Sequence, residues 1–345
     1  MRYSRNQLND AGEVIMSSYN DESLLGPALE KVIKWRHDHL TPLSRLAVEL
    51  ENLLSVNKIK PFLISHRLKR FTSIVHKLDR NPQMRLGGMH DVGGYRIVVD
   101  NVDTLLRLQK LLDEEPMKNC FESLKPYDYV KNPKDSGYRS IHYRYKYKST
   151  DKVHDGLRVE LQIRTRLQHS WATAVETAGL YKNSQLKAEQ GDSIWLDFFR
   201  IVSSLFAIKE DLPVLAEHNS MELQELMMIC YSIDKLENIS SILRALRVTV
   251  SKVTDDNGEY AIVYIDLLKR RVRILNYGKG ELEQAMGKYA ELESKVKEGE
   301  SAVVMVHVNS IMDLKKAYPS YFLDTTEFIS AIETIKSNCE KYYIA

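Results

Sequence analysis

The sequence predicts an α+β protein in which a mixed sheet flanked by helices is followed by a helical connector and a second, small α/β domain. Strict alternation of apolar and polar residues over 141–147 and 157–164 is the signature of half-buried strands. Apolar residues at three- and four-residue steps on both sides of that stretch signal helices. Beyond Arg247 the period returns to two. These shifts divide the chain into N-terminal helices over 1–60, a sheet-bearing domain over 61–185, a connector over 186–246 and the smaller domain over 247–345. A length of 345 residues suits about two domains.

Composition narrows the class. Apolar residues make up 43% and charged residues 28%, ordinary values for a globular chain, and no run reaches the ~18 apolar residues of a membrane helix. The formal charge is only +2, so attraction to anionic partners must come from local clustering. Cys120, Cys230 and Cys339 are odd in number and widely spaced, which argues against a disulfide framework and fits a reducing cytoplasm. The first residues offer no apolar stretch for a signal peptide.

In chain order, residues 22–57 predict two helices broken at Thr41-Pro42, the second with a stripe of Leu43, Leu46, Leu50 and Leu53. Ser65 to Leu78 predicts a further helix with a basic face. Between Lys58 and Arg85 eight Lys and Arg face the single acid Asp79. Gly87-Gly88 and Gly93-Gly94 bracket His90-Asp91 and lead into a β-branched strand over 95–99. Asn101 caps a helix to about Glu114, with Leu105, Leu106, Leu108, Leu111 and Leu112 as its buried face. The strands over 141–147 and 157–164 each carry one apolar and one polar, mostly basic, face. Thr165 caps a helix over 166–181, Ser193 opens an apolar helix to Glu210, and 221–246 reads as one more. The last domain predicts strands over 248–253, 259–265, 271–276 and 302–308, a turn at 255–258, and helices over 281–297 and 325–337. His218 reads as solvent-facing, His307 as core-edge and Tyr318 as a surface aromatic.

Three groups of residues suggest chemistry. Asp91 and Glu160 are carboxylates among cations at strand edges, where Mg²⁺ is commonly held through carboxylates plus substrate phosphates. A structural ion pair is the competing reading. Arg67, Lys69, Ser73 and Lys77 share roughly one side of the expected basic helix and suit a polyphosphate, or else a solvated or RNA-contacting face. Pro133 and Gly137 frame a loop that delivers Lys134 and Tyr138 to the entrance of a strand carrying His142. A cation and an aromatic ring there suit a stacked base and its phosphates, while core packing of Tyr138 is the plain alternative.

The order Arg67-Leu68-Lys69, Ser73-Ile74, Lys77-Leu78, Asp91-Val92-Gly93-Gly94-Tyr95-Arg96, Asp128-Tyr129, Pro133-Lys134, Gly137-Tyr138-Arg139-Ser140-Ile141-His142 and Glu160-Leu161-Gln162-Ile163-Arg164-Thr165 resembles the RelA/SpoT alarmone synthetase domain. The stretch Leu167 to Glu176 resembles its single-function small synthetases and their toxic relatives. The resemblance implies a nucleotidyltransferase-like fold and Mg²⁺-dependent transfer of the ATP β,γ-pyrophosphate to a ribose 3′-hydroxyl. It further implies that Arg67, Lys69, Ser73 and Lys77 hold ATP. Asp91 would bind Mg²⁺, and Glu160 would assist the metal or take the hydroxyl proton. Lys134, Tyr138 and His142 would serve the acceptor, with Tyr138 stacking guanine. The roughly 60 residues before Lys60 are too few for the helical His-Asp hydrolase domain of bifunctional members, so hydrolysis is not expected from His37-Asp38.

Two acceptors follow from that resemblance. One is GDP or GTP, giving (p)ppGpp. The other is the 3′ end of tRNA, as in a toxin restrained by an antitoxin or sensor module over 247–345, where a protein partner or regulator is expected. A nucleotide-binding regulator without activity is a third reading, weakened by the presence of both carboxylates.

Overall fold

A computed structural model describes residues 1–17, 22–114, 117, 119–181, 193–246, 249–253, 260–266, 268–269, 271–278, 280–296, 300–307 and 324–342. The chain forms two compact units. The first comprises residues 1–97, 103–127 and 142–163, and the second 98–102, 128–141 and 164–345.

The first unit begins with three helices, α1 (Arg5–Ser17), α2 (Glu22–Asp38) and α3 (Leu40–Val56). The break between α2 and α3 falls at His39, earlier than the expected Thr41-Pro42. Pro42 sits in the first turn of α3, where a missing N–H leaves no helical bond unmade. Leu8, Ala11 and Ile15 of α1 pack with Val32 and Trp35 of α2 and with Ile74 and Leu78 in one core.

The expected helix over Ser65 to Leu78 is a strand, β1 (Leu63–Leu68), followed by a helix, α4 (Phe71–Arg80). Leu63 and Ser65 are buried while Ile64 and His66 are only partly so, which is the two-residue period of a strand. Lys69 continues the pairing, its N–H donating to Val92 O at 2.8 Å, and extended Arg70 precedes the helix. Arg67, Lys69, Ser73 and Lys77 therefore do not share one helical side. Arg67 lies on the strand, Lys69 in the junction, and Ser73 and Lys77 one turn apart on α4.

β2 (Gly93–Val99) and α5 (Val102–Glu114) follow as expected, although Leu106 is exposed and the buried stripe of α5 is Leu105, Leu108 and Leu112. The next strand, β3 (Phe121–Asp128), has no counterpart in the sequence reading. Only Phe121 is buried on it, so an edge strand shows little apolar alternation. β4 (Ile141–Tyr147) and β5 (Arg158–Thr165) match their alternation, with Tyr143, Tyr145, Val159, Leu161 and Ile163 buried. These strands run in the order β3-β4-β5-β2-β1.

In the second unit α6 (Arg166–Tyr181) starts where Thr165 predicts. Gln168 N–H donates to Thr165 Oγ1 and Thr165 N–H to Gln168 Oε1, both at 3.2 Å, a reciprocal N-terminal cap. α7 (Ser193–Lys209) buries Trp195, Phe198, Phe199 and Phe206, and Phe198, Phe199 and Phe206 meet Phe328 of α11 (Thr326–Tyr342). The single helix expected over 221–246 is two, α8 (Leu223–Glu237) and α9 (Ile239–Ala245), because Asn238 takes a left-handed conformation at φ 55°. His218 is buried, not solvent-facing, with Nδ1 at 2.8 Å from Ser204 Oγ.

The last strands are β6 (Thr249–Val253), β7 (Tyr260–Asp266), β8 (Arg271–Tyr277) and β9 (Ser301–His307), with α10 (Leu282–Glu293) between β8 and β9. Their order is β9-β7-β8-β6. β7 is antiparallel to β8 and β9, and β6 is parallel to β8. Ile262, Val303 and Met305 pack on Ala285 and Tyr289 of α10. The expected turn at 255–258, Tyr318 and the His307 side chain lie outside the described residues. Among the described residues no helix is long and apolar enough to cross a membrane.

Asp234, almost fully buried, ties α8, α9 and α11 together. It accepts from Ser240 N–H, Ser240 Oγ and Lys336 Nζ, each at 2.7 Å. Asp234→Ala strands the Lys336 charge and the first turn of α9, and is expected to lower the unfolding free energy by about 3 kcal/mol. Denaturant titration checks this, and an unchanged midpoint contradicts it.

Candidate active site

The junction between β1 and α4 fixes the first half of the site. Arg36 of α2, itself buried, donates from Nε to Lys69 O at 3.0 Å and so holds the junction from behind. Lys69 Nζ and Lys77 Nζ both donate to Asp91 Oδ2, at 3.0 and 2.8 Å. Ser73 lies one turn before Lys77 on the same side of α4. Gly93, at the start of β2, sets Asp91 close to the sheet. A Cβ there would meet Leu43 at 3.0 Å and Val159 at 3.1 Å.

Burial alone would raise the Asp91 carboxyl, but the two lysine charges and their hydrogen bonds hold it well below the usual carboxylate range. Burial lowers Lys69 in turn, Asp91 resists that shift, and Lys77 and Arg67 add to it. Asp91 Oδ1 is buried with no hydrogen-bond partner among the described residues. An acceptor kept out of water next to a filled one is an opening for a cation ligand.

Glu160 on β5 forms the second half. His142 Nδ1 of β4 donates to Glu160 Oε1 at 3.0 Å, and Gln162 Nε2 donates to Oε2 at 2.8 Å. Burial favours the protonated Glu160, yet the charge and hydrogen bond of His142, with help from Gln162, bring it below its ordinary range. Asp91 pushes the other way, so the two carboxylates feel each other's charge. Both halves belong to the first unit. Among the described residues no three His, Cys, Asp or Glu side chains cluster as metal ligands. Two carboxylates suit a hard cation that fills its shell with water and phosphate oxygens, which describes Mg²⁺ better than zinc.

Lys134 and Tyr138 belong to the second unit. Their loop is closed by Gly137 N–H to Lys134 O at 2.8 Å and Lys134 N–H to Tyr138 O at 3.3 Å. Gly137 has φ +89°, and a Cβ there would meet Ser203 Cβ of α7 at 2.8 Å. Ser203 Oγ donates to Gly137 O at 2.6 Å and accepts from Arg139 Nε at 3.2 Å, while Arg139 Nη1 reaches Val130 O at 3.1 Å. Lys134 Nζ stands 4.7 Å from the Tyr129 ring centre and 5.4 Å from that of Tyr138. The loop thus presents a cation over two aromatic rings.

The structure brings together Lys69, Lys77 and Asp91, and separately His142 and Glu160. His142, expected beside the acceptor, is the partner of Glu160. Arg36 and Ser203 escaped the sequence reading because each acts across the fold through one backbone carbonyl, which leaves no local signal. Gln162 was visible only as part of a motif. Asp38, of the His37-Asp38 pair, takes two hydrogen bonds from Arg2 at 2.9 Å each and is a structural ion pair.

His142→Ala removes the main influence holding Glu160 low and leaves burial and Asp91 to dominate. Its carboxyl is then expected to titrate above the ordinary range instead of below it, followed by carboxyl-carbon NMR of glutamate-labelled protein. Identical titration in the two proteins contradicts the pairing.

Residues 66–186 match the family model described as "Region found in RelA / SpoT proteins". GTP pyrophosphokinase YjbM of Bacillus subtilis is 32% identical over 124 residues, covering 35% of this chain and 57% of that protein. GTP pyrophosphokinase YwaC of the same organism is 30% identical over 115 residues, covering 31% and 52%. RSH3 of Arabidopsis thaliana is 29% identical over 168 residues, covering 47% and 19%. The chain therefore spans about half the length of the two Bacillus relatives and a fifth of the plant protein. The crystal structure of small alarmone synthetase 1 from Bacillus subtilis bound to its product pppGpp aligns with a TM-score of 0.44 at 22% identity, over 53% of this chain and 94% of that one. The segment that matches the RelA/SpoT family model, 66–186, holds Arg67, Lys69, Ser73, Lys77, Asp91, Lys134, Tyr138, His142 and Glu160.

Proposed function

We propose that this chain is a Mg²⁺-dependent pyrophosphotransferase that moves the β,γ-pyrophosphate of ATP to the ribose 3′-hydroxyl of GDP or GTP, releasing AMP. The observation that carries this reading is the Asp91 carboxylate clamped by Lys69 and Lys77 within charge range of the Glu160–His142 pair, all inside the RelA/SpoT region. The names of the two Bacillus relatives support the same reaction.

ATP brings several negative charges, and Arg67, Lys69 and Lys77 supply cations for them, with the Ser73 hydroxyl between. Asp91 and Glu160 would hold Mg²⁺, which supplies charge neutralisation at the transferring phosphoryl oxygens when bound. Tyr138 stacks the guanine and Lys134 meets acceptor phosphate. The 3′-oxygen attacks the β-phosphorus, the bond from that phosphorus to the AMP oxygen breaks, and the hydroxyl proton is lost toward Glu160. His142 and Gln162 hold that carboxylate as an anion and aim it. Cys120, Cys230 and Cys339 are free thiols, which supports action in the reducing cytoplasm.

Asp91→Asn and Glu160→Gln are each expected to lower pyrophosphate transfer by about 10²-fold or more with the fold intact, since positioned charge contributes several kcal/mol to phosphoryl transfer. Full activity in either variant removes that residue from the site. Tyr138→Ala is expected to raise KM for the guanine nucleotide and leave KM for ATP unchanged, and equal kinetics contradict the stacking role. Deacylated tRNA, offered beside GDP and GTP, tests the alternative acceptor.

A further inference from the structure

A second group of cations sits on the same sheet face as the Glu160–His142 pair. Side chains two apart on a strand share a face, so Arg144 follows His142 on β4 and Arg158 precedes Glu160 on β5. Arg158 Nη1 lies 3.2 Å from both Gly88 O and His90 Nε2. Arg144 Nη2 donates to Lys125 O at 2.6 Å, and its guanidinium lies 4.1 Å from the Tyr127 ring centre. These contacts fix both arginines without neutralising them. The nearby Glu122 is taken by Lys146 at 3.1 Å. Arg144 and Arg5 both repel the charge on Arg158. With its Nε2 facing an Arg158 donor, His90 carries its proton on Nδ1. That Nδ1 and Arg144 Nε are buried with no hydrogen-bond partner among the described residues.

Two fixed guanidiniums and an imidazole N–H, with the nearest acid on their outer side, Glu122, already engaged by Lys146, describe an anion subsite. Lys69 and Lys77 of the ATP side converge on Asp91, whereas this group adjoins Glu160, where the acceptor hydroxyl loses its proton. We propose that Arg144, Arg158 and His90 form a second phosphate-binding subsite that takes the 5′-polyphosphate tail of the acceptor and makes the enzyme select nucleoside di- and triphosphates over monophosphates. This assignment rests on the pyrophosphotransferase reading, and it reaches beyond the residues that reading uses.

The test is equilibrium binding to the full chain saturated with a non-hydrolysable ATP analogue and Mg²⁺, so that the ATP side is filled. Inorganic tripolyphosphate, GTP, GDP, GMP and a short RNA with a free 3′-hydroxyl are compared between the natural protein and Arg144→Gln/Arg158→Gln. The double variant is expected to lose about tenfold or more for tripolyphosphate, GTP and GDP, and nothing for GMP. Arg144→Lys, a milder change that keeps the charge but not the fork, is expected to lose about threefold for tripolyphosphate, GTP and GDP and nothing for GMP. Unchanged affinities, or an equal loss for GTP and GMP, overturn the subsite. Loss confined to the RNA overturns the nucleotide tail as its ligand and assigns the arginines to a nucleic-acid backbone. If the natural protein transfers nothing to guanine nucleotides yet shows the tail-dependent loss, the subsite stands and the transfer reading fails.

Discussion

A carboxylate out of water stays ionised only where cations or hydrogen-bond donors reach it, and the first unit is organised around doing this twice. Asp91 is held by two ammonium groups that arrive from different elements, one at the end of β1 and one from α4. Glu160 is held by an imidazole from the neighbouring strand and an amide from its own. The arrangement needs the strand-to-helix junction at Lys69, with Arg36 bonded to its carbonyl, and the close approach of backbone at Gly93. Losing one partner would leave a buried charge uncompensated, which costs more than the pair gains by forming. Such a site is well suited to receive a cation and the phosphates it carries.

The second unit contributes a different kind of order. Its Lys134–Tyr138 loop is short, turns on a positive-φ glycine, and is pinned from below by Ser203 and Arg139. Ser203 lies outside the RelA/SpoT region, on a helix whose aromatic face packs against α11. The elements beyond residue 186 thus have a structural connection to a loop within the region, independent of any sensing role for residues 247–345.

Much of this was legible in the sequence because the signals were local. Alternation in β4 and β5, the glycines before β2, and the Thr165 cap each follow from a few adjacent residues. The failures were non-local or weakly patterned. Charges at 67, 69, 70 and 77 suggested a helical stripe, yet charge carries no period that separates strand from helix, and it was the buried Leu63 and Ser65 that set β1. β3 buries too little to announce itself. Asn238 looked like an ordinary helical residue until its left-handed turn divided α8 from α9. The site residues were named from motif order, but their pairing was not: the bond from His142 to Glu160 crosses strands, and spacing along the chain says nothing about it.

The most direct measurement follows the phosphorus. The full chain, Mg²⁺, ATP and GDP are incubated together and the products are resolved by phosphorus NMR. The account predicts AMP and a guanosine nucleotide with a new pyrophosphate on its 3′-oxygen, in equal amounts. Formation of ADP with inorganic phosphate, or of AMP with free pyrophosphate and unmodified GDP, contradicts it.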